Sequence, residues 1–136
     1  MARTRRVLET SLYVDDLVRA RRFYERHFDL EILHADERMC AYAIGDTVLL
    51  LFRRREGLTP VTMPNGTIPS HDGEGPLHVA FAIDESDLPD WEQELTAAGI
   101  VIESRVHWPR GGHSLYFRDP DGHLVEVATP GLWRNY

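Results

Sequence analysis

The chain has 136 residues, with 22 acidic against 15 basic side chains and a formal net charge of −7. That charge excludes a general nucleic-acid binder or a partner for anionic membranes. With 43% apolar and 27% charged residues it fits a soluble globular protein, and Cys40, its one cysteine, excludes an internal disulfide and a thiolate metal centre.

Met1 to Arg6 is polar and basic, without the apolar run of a signal peptide, and no stretch approaches a membrane span. A cytoplasmic protein is the expectation. The basic clusters Arg3/Arg5/Arg6 and Arg53-Arg54-Arg55 read as solvated surface. Val7 to Val14 alternates in polarity and predicts a strand, ending at Asp15-Asp16, which are good helix N-caps. Leu17, Ala20, Phe23, Tyr24 and Phe28 then recur at helical spacing, predicting a helix over 16–28. Strands follow over Leu30–His34, Met39–Ile44 and Thr47–Phe52, with Gly45-Asp46 turning the last two into a hairpin. The first module, 7–53, therefore reads βαβββ.

Residues 54–76 hold several Pro and Gly and no periodicity, so they are expected to form a long connecting loop or lid. The pattern then restarts. Leu77–Ile83 reads as a strand, and Asp84–Asp87 offers caps for a helix carrying Leu88, Trp91, Leu95 and Ala98 and stopping at Gly99. Ile100–Val106, His113–Phe117 and Leu124–Ala128 are predicted strands, with Asp119-Pro120-Asp121-Gly122 as the turn between the last two. The second module, 77–130, is again βαβββ, followed by a tail over 131–136. The expected fold is α+β, one domain over 1–136 built from two tandem βαβββ modules, because neither module can bury its sheet face alone.

Side chains alternate across a strand, so parity assigns faces. Leu8, Leu12 and Val14 share one face of the first strand, and Glu9, Ser11 and Tyr13 the other. In the second module Leu77, Val79, Phe81 and Ile83 oppose His78, Ala80 and Ala82. The bulky faces meet the helices, which leaves Glu9 and His78 at matching positions on the opposite faces. If the four residues 119–122 close the last hairpin, Leu115 opposes Glu126 and His113 opposes Ala128, placing His113 and Glu126 on one face. A carboxylate in a strand reading LVEVA needs a metal, an arginine or solvent as compensation. Three residues of metal-ligand type thus fall at equivalent register in a duplicated pattern.

The segments ETSLYVDDLVRARRFYERHFDLEIL (9–33), LHVAFAI (77–83) and YFRDPDGHLVEVATP (116–130) resemble the vicinal oxygen chelate superfamily of glyoxalases, bleomycin resistance proteins and extradiol dioxygenases. The resemblance implies two sheets curled into a half-open barrel around a central cavity. It implies metal ligands on the first and last strands of each module, here Glu9, His78 and Glu126, for one divalent ion such as Mn, Fe, Co, Ni or Zn. Leu50 stands where four-ligand members carry a carboxylate, and Glu9 where two-histidine iron members carry a histidine.

The implied function is a metal-dependent lyase, isomerase or dioxygenase. It would act on a small substrate with adjacent oxygens, by isomerisation, addition or oxygen insertion. His113 is the expected proton-transfer residue, since an imidazole suits that task near neutral pH. Tyr13, Leu50, His71, Trp108 and Arg110 are the expected substrate contacts. The alternative is a metal-free protein of the bleomycin-resistance type that sequesters an antibiotic or metabolite. A homodimer is expected, with Leu132, Trp133 and Tyr136 available as apolar anchors.

Overall fold

Asp16 starts the first helix: its side chain accepts from the Arg19 amide at 3.0 Å, and Arg26 and His27 lie in the last turn, where the helix dipole favours cations. The computed structural model describes all 136 residues, and they divide into two units, Met1–Glu74 and Gly75–Tyr136. No helix is long and apolar enough to cross a membrane.

The first unit runs β1 (Glu9–Val14), α1 (Leu17–His27), β2 (Glu31–Ala35), β3 (Met39–Ile44) and β4 (Thr47–Arg53). Its sheet has the order β1-β4-β3-β2, with β1 parallel to β4. Leu12, Val14, Leu49, Leu51, Cys40 and Tyr42 are buried, as are Leu17, Ala20 and Tyr24 of α1. Each large apolar side chain so buried contributes about 1.5–3 kcal/mol. The Tyr42 hydroxyl donates to Glu25 Oε1 at 2.8 Å, and burial pushes its phenol well above the ordinary value. Leu8 departs from the expected helix-packed face: the strand begins at Glu9, two residues later than Val7, and Leu8 is exposed.

The connector is more ordered than a loop. It forms a 3-10 turn at Glu56–Leu58 and a hairpin of β5 (Val61–Met63) and β6 (Gly66–Ile68), and as far as Glu74 it belongs to the first unit. Strand formers on both sides of Pro64-Asn65 account for the hairpin, since Met63 pairs with Gly66 across a two-residue loop.

The second unit repeats the plan with β7 (His78–Ala82), α2 (Leu88–Ala97), β8 (Ser104–His107), β9 (His113–Arg118) and β10 (Leu124–Ala128). Its order is β7-β10-β9-β8, with β7 parallel to β10. The two tandem βαβββ modules are therefore alike in topology as well as in element order. Phe81, Leu95, Leu115, Phe117, Val125 and Val127 are buried, and Trp91 of α2 stacks on Phe117 at 6.5 Å. β8 starts at Ser104, not Ile100, because Gly99 (φ +73°) and Ile100 are still closing the helix, with amides bonded to the Thr96 and Leu95 carbonyls.

The β9–β10 register differs from the expected one by a single residue. Glu126 opposes Tyr116, Val127 opposes Leu115 and Ala128 opposes Ser114. Asp119 Oδ1 accepts from the amides of Asp121 and His123, so five residues, not four, stand outside the ladder, and His123 turns inward with Nδ1 accepting from the Leu77 amide. The slip moves His113 to the face shared with Leu115 and Phe117, away from Glu126.

Candidate functional site

In the second unit the parallel pairing of β7 with β10 sets His78 beside Leu124, two residues from Glu126. His78 Nδ1 lies 2.9 Å from the Leu124 carbonyl oxygen. A carbonyl only accepts, so Nδ1 carries a proton, and Nε2 is the nitrogen turned toward Glu126. Nε2 sits 3.3 Å from Glu126 Oε2. Unless a proton or a cation lies between them, two lone pairs face each other there.

Glu126 is only 4% exposed. Its Oε1 accepts from Ser114 Oγ at 2.5 Å, and Ser114 Oγ accepts in turn from Trp108 Nε1 at 2.8 Å. Tyr116, opposite Glu126 in the ladder, stacks on His78 at 6.4 Å. Burial, and then the Glu126 charge, hold its phenol above the ordinary value. The carboxylate is thus fixed by a serine, a tryptophan and the strand ladder, with one oxygen turned toward an imidazole. The 3.3 Å separation is close to that of two ligands each about 2.1 Å from one ion. Carboxylate and imidazole together suit borderline divalent cations.

Glu9 belongs to the first unit. No group of three or more His, Cys, Asp or Glu side chains is assembled for a metal. What the structure assembles is the His78–Glu126 pair.

The first unit holds a cup of about 580 Å³. Its sheet wall carries Glu9, Ser11, Tyr13, Leu50 and Phe52, and the connector supplies Val61, Met63, Ile68 and His71. Tyr13 Oη meets His71 Nδ1 at 2.7 Å, and His71 packs edgewise on Phe52 with ring centroids 4.6 Å apart. Two glycines permit this closeness: a Cβ on Gly57 would stand 2.3 Å from the His71 carbonyl oxygen, and one on Gly73 would stand 2.4 Å from the Tyr13 ring. At the rim Asp36 accepts from the Arg38 and Met39 amides, and its pairing with His34 is the main cause that holds its carboxyl below the usual range.

Of the expected substrate contacts, Tyr13, Leu50 and His71 come together in this cup. Trp108 instead joins Ser114, and Arg110 is exposed in the turn that the Gly111 amide closes onto the Trp108 carbonyl. His113 is corrected out of the Glu126 neighbourhood: it stacks on His107 at 4.4 Å, with Nδ1 buried and unpartnered. Ser114, Tyr116 and Phe52 were missed by sequence reasoning. Ser114 and Tyr116 share a parity in β9, and a correct hairpin register exposes both.

A family model described as the Glyoxalase/Bleomycin resistance protein/Dioxygenase superfamily matches residues 6–127. The chain is 33% identical over 121 residues to the metallothiol transferase FosB of Bacillus licheniformis, covering 88% of this chain and 72% of that protein. It is 34% identical to the metallothiol transferase FosB of Staphylococcus epidermidis, covering 88% of this chain and 78% of that one. The crystal structure of lactoylglutathione lyase from Agrobacterium tumefaciens superposes with a TM-score of 0.85 at 34% identity, over 95% of this chain and 96% of that one.

Proposed function

Because the chain belongs to the glyoxalase/bleomycin resistance protein/dioxygenase superfamily, we propose that it is a metal-dependent enzyme acting on a small molecule with two adjacent oxygens. The observation that carries this reading is an imidazole nitrogen 3.3 Å from a buried carboxylate oxygen, His78 Nε2 against Glu126 Oε2. A divalent ion there takes one ligand from each side chain and neutralises a carboxylate whose hydrogen-bond partner, Ser114, is neutral. Glu9 enters as the third ligand by sequence register alone, since it opens β1 as His78 opens β7.

When bound, the ion supplies Lewis acidity toward a substrate oxygen. The chain's own groups do the rest. Ser114 and Trp108 hold the Glu126 carboxylate in place. Tyr116, opposite Glu126 in the ladder and stacked on His78, walls the pair with its ring.

The names of the relatives point to sulfur chemistry, and we assign the reaction to that class: a small thiol adds to the substrate, its sulfur bonding an electrophilic carbon as one of that carbon's bonds to oxygen opens, and the thiol proton passing to that oxygen. Cys40 is fully buried, so the sulfur belongs to a co-substrate and not to the protein. The test is loss of free sulfhydryl when metal-loaded protein meets a small thiol and electrophiles bearing adjacent oxygens. Turnover by the wild type and none by His78→Ala supports the assignment; equal background rates for both across the set contradict it.

We further propose a homodimer. Trp133 is 68% exposed on a tail that Tyr136 ties down through its hydroxyl, donating to the Ala128 carbonyl at 2.8 Å. Light scattering that stays at 15.6 kDa over a wide concentration range removes the dimer.

A further inference from the structure

We propose that the cup of the first unit takes an uncharged, ring-bearing molecule, its flat apolar body lying against Phe52 and Tyr13. This deepens the enzymatic reading by naming the substrate's class. It rests on that reading for calling the occupant a substrate, and on the cup's own lining for its chemistry.

The two units, compared position by position, single out this face. Ser11 pairs with Leu50 and Tyr13 with Phe52 in the first unit. The same registers in the second unit hold Ala80 with Glu126 and Ala82 with Ala128. Three of four positions are therefore large and apolar or aromatic in one unit, and three of four are alanine in the other. Tyr13 and Phe52 lie nearly parallel, with ring centroids 5.9 Å apart and planes 22° apart, presenting an aromatic surface of fixed orientation.

The facing wall is apolar as well. Met63 and Ile68 of the hairpin line the cup yet are 53% and 48% exposed, surface that a ligand would cover. The volume of about 580 Å³ lies in the range of sites for metabolite-sized ligands. Fixed polar atoms are few: the Tyr13 hydroxyl is already paired with His71. Asp36 is paired with His34, and Arg38 with Glu56. Glu9 also lines the cup, and in the metal-free protein its carboxylate disfavours an anion.

The probe is N-phenyl-1-naphthylamine, which carries two uncharged aromatic systems, and its sulfonated counterpart is 8-anilinonaphthalene-1-sulfonate. Both are titrated by fluorescence into the full chain after chelator treatment, so a failure of the metal reading leaves this test intact. The expected result is saturable binding of the neutral probe, at least about tenfold tighter than the sulfonate. Leu50→Asp and Ile68→Asp should each weaken it about tenfold or more, because a carboxylate resists burial against an aromatic body. Ile68 is half exposed, so Ile68→Asp keeps the fold and decides the matter alone should Leu50→Asp not fold. No saturable binding of the neutral probe, tighter binding of the sulfonate, or affinity unchanged in Ile68→Asp with its circular dichroism intact would overturn the proposal.

Discussion

β4 and β10 are equivalent strands, each parallel to the first strand of its unit and antiparallel to its hairpin partner. On the helix-packed face they agree: Leu49 and Leu51 in one and Val125 and Val127 in the other are buried. On the opposite face they part. β4 carries Leu50 and Phe52 where β10 carries Glu126 and Ala128. One topology thus serves two ends: where the core demands apolar residues the copies match, and where it does not, one copy has a buried carboxylate and the other an aromatic wall.

The helix-packed face that the two strands share answers to a core truncation. Leu51→Ala should cost about 2–5 kcal/mol in urea unfolding, since it removes a fully buried side chain that cannot be replaced by water. Glu126→Gln, at the divergent position, should change stability far less while abolishing metal binding. A Leu51→Ala cost under about 1 kcal/mol would mean that the α1-packed face is not the core it is taken to be.

Next in size is the hydrogen-bond chain behind Glu126. Ser114→Ala should weaken metal binding by about 10–100-fold, the usual effect of removing a group that orients a ligand. Trp108→Phe keeps the ring and loses only the indole N–H, so its effect should be smaller, about threefold to tenfold. Titration with Mn or Zn checks both, and affinities equal to wild type would sever Ser114 and Trp108 from the site.

The smallest effect is a pH dependence. A phenol whose folded value is raised stays neutral in the fold after the unfolded chain has begun to ionise at about pH 10. The stability it contributes is therefore complete below about pH 10 and is lost as pH rises through the folded value. Tyr116 is such a group, through burial first and the Glu126 charge second. Tyr116→Phe should flatten the alkaline fall in melting temperature by about 1–3 °C. An unchanged slope would assign that fall to other tyrosines, Tyr13 among them.

Strands, helices and the duplication were legible because they rest on local signals: alternation, the Asp16 cap, Gly99 at a helix end. The equivalence of Glu9 with His78 followed from parity, that of Leu50 with Glu126 came from the family resemblance, and the ladder registers agree with both. The β9–β10 register was not legible. Whether four or five residues leave that ladder is decided by Asp119 bonding two amides and by His123 packing inward, interactions that no residue count reveals. That one-residue slip misplaced His113 and hid Ser114 and Tyr116. The connector hairpin was obscured by its Pro and Gly content, although its two three-residue strands are rich in strand formers.

Elemental analysis shows whether the His78–Glu126 pair holds a cation. Protein purified without chelators or a polyhistidine tag should carry about one divalent ion per chain. His78→Ala should lack it, and chelator-treated wild type should gain melting temperature when the ion is restored, through linkage. Wild-type protein that emerges metal-free, with a melting temperature unmoved by excess Mn, Fe, Co, Ni or Zn, would rule out a cation at this pair and leave a metal-free sequestering protein in its place.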